Sequence, residues 1–267
     1  VYKRQAPTLS EFARSTTARS CARSSSRAPG LPDPAPPAHR YAIYYAAPPE
    51  SPLERFGVTW LGRDHRTGRR LKQPEVPGIA PDRLRELTAS PRRYGFHGTL
   101  KAPFRLAPGR GADELHDAAR TFAAGHEAFT LEPLVIDDLK GFLAFVPAAP
   151  AARLDALATA AVEAFELFRA PLSEAELARR LQSPLTQRQR DQLARYGYPY
   201  VFADFAFHMT LTVRLGDAEK AILLPHLRQR GQALAAEPFV VDAIAVYEEP
   251  TPGADFVMTA RYGFRPR

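Results

Sequence analysis

Cysteine is almost missing from these 267 residues, where Cys21 stands alone. One thiol can neither close an internal disulfide nor build a cysteine-rich zinc site, so a reducing, cytoplasmic setting is the expectation. Long hydrophobic runs are missing too. No apolar stretch nears the roughly 18 residues that a membrane-spanning helix requires, so no membrane partner is expected. The seven histidines form no HxH or HxxxH cluster. No metal or other cofactor is therefore expected.

Charge of one sign is concentrated rather than scarce. The net charge is +7, which alone would suggest a polyanionic partner. Its location argues otherwise. Residues 1–40 hold seven basic side chains against two acidic, a net of +5, and the rest of the chain carries only +2. A nearly neutral body disfavours nucleic acid as partner. Residues 1–39 are rich in Ser, Ala, Pro and Arg without helical or strand periodicity, and are expected to be disordered or a non-native tail. An Arg- and Ser-rich start also fits a transit peptide, while opening on Val reads as a fragment or an upstream read-through.

Folded sequence begins with "RYAIYYAAP" (40–48), a strand closed by Pro48-Pro49. Ser51-Pro52 reads as a helix start, with Ser51 as N-cap. A short helix is expected at 81–89, a strand at 93–106, a helix at about 112–126, and strands at 129–137 and 141–147. A core helix over 151–169 and a helical, Arg-rich insertion at 173–196 follow. The order then recurs: strand 204–215, helix 217–235, strands 238–248 and 254–264. From His97 to Phe129 is 32 residues and from His208 to Phe239 is 31. The expected fold is α+β, with two pseudo-symmetric β-α-β-β lobes (about 40–150 and 151–267) whose antiparallel sheets face a central cleft.

The repeat is sharpest at "YGFHGTL" (94–100) and "FAFHMTL" (205–211). Side chains alternate along a strand, so Phe207, Met209, Leu211, Val213 and Leu215 share an apolar face. His208, Thr210, Thr212 and Arg214 share the polar one. In the first copy Gly95, His97, Thr99 and Lys101 match that polar face. Two imidazoles on either side of a phosphorus atom suit general acid–base opening of a phosphodiester, and hydroxyls two residues on can donate to its non-bridging oxygens. Lys101 and Arg214 read either as further phosphate ligands or as solvated strand ends. "RYGYPYV" (195–201) supplies Tyr198 and Tyr200, which read either as substrate lining or as packing. His39, His65, His116, His126 and His226 read as surface residues, and the basic run 188–195 as a solvated face.

Paired His-x-Thr motifs on strands of a duplicated β-α-β-β plan resemble the two-histidine phosphoesterase superfamily. Within it, "YGFHGTLKAPFRL" (94–106) and "GYPYVFADFAFHMTLTVRL" (197–215) are similar to a bacterial family found beside phosphonate-degradation genes. The resemblance covers roughly residues 40–267. It implies His97 and His208 as acid and base and Thr99 and Thr210 as phosphate ligands without fixing the substrate, for which association with phosphonate breakdown suggests a small ribosyl cyclic phosphate; the expectation is a monomeric, metal-independent cyclic phosphodiesterase. Two other readings are an RNA-end 2′,3′-cyclic phosphodiesterase or ligase, and a non-catalytic nucleotide- or RNA-binding protein that keeps the fold.

Overall fold

The computed structural model describes residues 39–266, so the expectations for the N-terminal tail fall almost wholly outside the described residues. Strand β1 (Arg40–Tyr45) leads into α1 (Pro52–Leu61), whose entry follows the local chemistry. Ser51 Oγ accepts from the Glu54 amide at 3.2 Å, and Pro52 occupies the first turn. Helices α2 (Pro81–Leu87) and α3 (Ala89–Tyr94) precede β2 (Gly98–Arg105). The first half continues with α4 (Ala112–Ala124), β3 (Phe129–Leu131), β4 (Leu134–Leu139) and β5 (Phe142–Pro147).

Helix α5 (Ala152–Ala164) begins the second half, followed by the insertion helices α6 (Glu174–Leu181) and α7 (Gln187–Tyr196). Both insertion helices open on a capping box, Ser173 with Glu176 and Thr186 with Gln189. Strand β6 (Met209–Thr210), α8 (Asp217–Arg230), β7 (Phe239–Val241), β8 (Ala243–Glu249) and β9 (Val257–Gly263) complete the chain. The order β2-α4-β3-β4-β5 thus has its counterpart in β6-α8-β7-β8-β9.

The fold is α+β and its strand pairs are antiparallel. Seven strands form one sheet in the order β4-β5-β6-β2-β1-β8-β9, and β3 pairs with β7 in a second, two-stranded sheet. The halves interleave. The β4-β5 hairpin of the first half lies beside β6, and the β8-β9 hairpin of the second half lies beside β2 across β1. In addition, α4 packs on β8 and β9 while α8 packs on β4. Here the structure differs from the expectation of two facing sheets. The motif strands β2 and β6 are hydrogen-bonded neighbours at the middle of one sheet, with Gly98 opposite Met209, so their polar faces lie side by side.

The two faces of that sheet bury different things. Tyr41, Ile43 and Tyr45 of β1 and Ile244 and Val246 of β8 enter the main core, with Phe96, Leu100, Phe207 and Met209 of the motif stretches. Ala42, Tyr44, Ala245 and Tyr247 point the other way into a small second cluster with Phe256. Burial on both faces explains why β1 and β8 read as continuous apolar runs rather than alternating ones.

The long strand expected at 204–215 shrinks to two residues. Beyond Thr210 the chain leaves the ladder because other partners compete for it. The Thr212 hydroxyl accepts from the Leu143 amide at 3.0 Å, and the Val213 amide donates to the Leu87 carbonyl at 2.7 Å. Likewise 89–94 is helical, not the start of a strand. Gly95, at φ +80°, ends that helix, and a side chain there would run into His65. His65, expected at the surface, is fully buried.

Candidate active site

Register brings the two motifs together. With Gly98 opposite Met209, one step along each strand sets His97 beside Thr210 and Thr99 beside His208. The histidines then sit on a cross-strand diagonal, where neighbours are about 7–8 Å apart and their Cβ atoms somewhat closer. That spacing leaves room for a tetrahedral group between the rings. Glycine is required between His97 and Thr99, since a Cβ on Gly98 would lie 2.3 Å from the Phe207 ring.

Each ring is oriented by the same device. His97 Nδ1 donates to the Gly95 carbonyl at 2.8 Å, and His208 Nδ1 donates to the Ala206 carbonyl at 2.8 Å. A carbonyl can only accept, so Nδ1 carries the proton and the neutral ring keeps its lone pair on Nε2. His97 Nε2 lies 3.2 Å from the Thr99 hydroxyl. Tyr44 stacks on the His97 ring with centroids 3.7 Å apart and planes 19° from parallel. His208 instead meets Phe142 at 5.6 Å.

Both imidazoles are harder to protonate than usual. Burial brings His97 down to about 4, the Gly95 hydrogen bond works against this, and the nearby His208 charge adds to the lowering. Burial also lowers His208, opposed by its bond to Ala206. At neutral pH the free protein therefore presents two neutral rings.

A cleft of about 480 Å³ opens over this face. Of the residues singled out in the sequence, His97, Thr99, Thr210, Arg214 and Tyr198 line it, while His208 does not count among its lining residues. Arg214 is exposed and pairs with no carboxylate among the described residues. Tyr200 stays outside the lining, 40% exposed and edge-on to Tyr198. Lys101 does not reach the cleft. The pairing of β1 with β2 shifts register between Thr99 and Lys101, which sets Lys101 opposite the core-facing Ile43, and its ammonium donates to the Val162 carbonyl of α5 at 2.9 Å and to Glu166 at 2.7 Å.

Sequence reasoning missed Arg40, Tyr44, Ser90, Tyr94 and Arg180, which also line the cleft. Only Tyr44 left a usable signal, since it sits opposite Thr99 on the strand next to β2. Arg40 is held by Glu249, which is fully buried and also takes Arg93 and the Gly253 amide. Burial pushes the Glu249 carboxyl up, but the bond from Arg40 and its other donors hold it below the ordinary range. Among the described residues no three His, Cys, Asp or Glu side chains group as metal ligands. The donors facing the cleft are guanidinium, hydroxyl and imidazole, a set suited to an anion.

Comparison with known proteins adds three findings. The chain is 40% identical over 229 residues to a "Ribose 1,5-bisphosphate phosphokinase PhnN" of Janthinobacterium sp. (strain Marseille), a match covering 84% of this chain and 51% of that protein. It is 35% identical over 220 residues to a protein of the same name from Laribacter hongkongensis (strain HLHK9), covering 81% and 50% respectively. The chain thus spans about half the length of the curated relatives it matches. A solved structure of E. coli LigT complexed with ATP aligns over 86% of this chain and 99% of its own, at 16% identity and a TM-score of 0.35. Residues 99–257, more than half of the chain and including both threonines and His208, match a single family, and the chain belongs to it: the family described as "Protein of unknown function (DUF1045)".

Proposed function

We propose that this chain is a phosphodiesterase that opens a small ribosyl cyclic phosphate with His97 and His208 as its acid–base pair. One observation carries the reading. Two imidazoles, each with Nδ1 tied to the carbonyl two residues before it, flank a pair of threonine hydroxyls on one sheet face. In the reaction a water oxygen bonds to phosphorus while one ring P–O bond breaks. The neutral Nε2 of one histidine takes a proton from that water, and the protonated Nε2 of the other delivers a proton to the departing alkoxide. Thr99 and Thr210 donate to the non-bridging oxygens as negative charge builds there, and Arg214 offsets that charge from the rim. We assign His97 the base role, because it is neutral down to about pH 4 and Tyr44 stacks on its ring, and His208 the acid role.

The names of the half-matched relatives support a ribose phosphate ester as substrate class. Their phosphokinase activity belongs to the whole proteins. The present sequence has no Gly-x4-Gly-Lys-Ser/Thr phosphate loop, so our reading gives it the ester-opening step. The nearly neutral charge of residues 41–267 favours a small molecule over RNA ends.

The test is turnover of a panel by the full chain in excess EDTA, followed by phosphorus NMR. The panel holds ribose 1,2-cyclic phosphate, nucleoside 2′,3′-cyclic phosphates and ADP-ribose cyclic phosphate. Conversion of the ribosyl compound to a monoester is expected. Silence across the panel with folded protein would move the weight to a binding protein.

A further inference from the structure

One guanidinium in the cleft has nothing to do in the chemistry just described. Arg180 stands in the last turn of α6, in the insertion that has no counterpart in the first half. It is half-buried and lines the same cleft as His97 and Thr99. Its Nη1 is anchored on the Gly197 carbonyl at 2.9 Å, and no carboxylate pairs with it among the described residues. The neighbouring Arg40 differs, since Glu249 holds it bidentately. Tyr198, from the same insertion, is pushed up to about 12 by burial, so its hydroxyl remains a donor. A half-buried guanidinium that feels the Glu176 charge but makes no ion pair with it, beside a phenol donor, is the kind of site that takes a phosphate monoester.

Its position sets the distance. Arg40 is four residues along β1 from Tyr44, which lies opposite Thr99. At about 3.3 Å per residue the strand carries the Arg40 backbone roughly 13 Å from that of Tyr44, and Ala102 and Pro103 line the cleft together with Arg40 and Arg180.

We propose that Arg180, with Tyr198, forms a second phosphate subsite, so that the substrate is a ribosyl cyclic phosphate carrying a further phosphate on its exocyclic C5 oxygen. This inference rests on the phosphodiesterase reading and narrows it. In a furanose whose 1,2-diol holds the cyclic phosphate, the C5 oxygen lies across the ring from the reacting phosphorus. The subsite grips the far end and leaves the ester between the histidines.

The experiment compares ribose 1,2-cyclic phosphate with and without a 5-phosphate, using the full chain and its Arg180→Gln and Arg180→Lys variants. For the wild type, kcat/KM is expected to be higher for the 5-phosphorylated compound. Arg180→Gln is expected to lower kcat/KM for that compound by about 10- to 100-fold, the size of a lost charged hydrogen bond, and to leave the other compound's value nearly unchanged. Arg180→Lys should recover part of the loss. Indifference of the wild type to the 5-phosphate, or an equal loss on both compounds, overturns the subsite. If neither compound turns over, the phosphodiesterase reading falls, and calorimetric binding of the same two compounds decides the subsite alone. Selective weakening by Arg180→Gln upholds it, and equal affinity in both proteins rejects it.

Discussion

At the scale of single residues, catalysis turns on protonation. One imidazole must be neutral and the other charged, and burial lowers both from the ordinary 6.5. Since kcat/KM reports the free enzyme, its pH optimum should lie below 6.5, falling on the acid side as His97 protonates near 4. A bound phosphate anion favours imidazolium, so the kcat profile should lie at higher pH than that of kcat/KM. Coincident profiles centred above 7 would contradict this. Lys101 offers a contrasting case. Its ammonium is spent on Val162 and Glu166 beneath α5, so Lys101→Met should cost about 1 kcal/mol in urea unfolding while leaving KM unchanged. A KM that rises with stability intact would put Lys101 back in the cleft. Alternation put Lys101 on the motif face, and no local pattern announced the register shift against β1 that sets it opposite the core-facing Ile43.

At the scale of elements, the site depends on the contact between β2 and β6, and β6 is only two residues long. Phe207 presses on Gly98 from the core side. Gly98→Ala should therefore lower stability by about 1–3 kcal/mol through overpacking. The displaced histidines should also lower kcat, by up to about 10²-fold. Adding Phe207→Leu should restore both in part, and a single variant with unaltered thermal melting would refute the close approach. Alternation and the repeated Phe-His-x-Thr-Leu made the motif faces legible in the sequence. The shortness of β6 was not, because Thr212 satisfies the Leu143 amide with its side chain, a choice that depends on a strand 69 residues away. The joining of the halves into one sheet was equally hidden. Pairing of β4-β5 with β6, rather than with β2, is a long-range decision that no local periodicity encodes.

At the scale of the whole molecule, two histidines held neutral, His65 fully buried and His97 half-buried on the cleft wall, make the fold sensitive to acid. His65 is enclosed against Tyr247 with neither ring nitrogen hydrogen-bonded, and burial, with the Arg66 charge, takes it down to about 3. Below pH 6.5 the unfolded chain binds protons that the folded chain refuses at His65 and His97, so stability falls as pH drops toward about 3. The loss should be on the order of several kcal/mol, and His65→Phe should remove the larger share. Urea midpoints of the two proteins at pH 7 and pH 4 check this, and identical drops in both would contradict it. The overall plan, α+β with a recurring element order, was readable from hydrophobic periodicity. The contribution of the insertion to the cleft was not, because Arg180 and Tyr198 meet β1 and β2 only after the chain has folded back across them.

The central claim is that His97 and His208 work as one acid–base pair on one substrate. Its most direct test is the turnover number of His97→Ala, His208→Ala and the double variant on the cyclic phosphate that the wild type opens, each protein first shown to melt cooperatively. Either single variant is expected to lose about 10²–10⁴-fold, with little further loss in the double. Near-wild-type turnover by either folded single variant would contradict it.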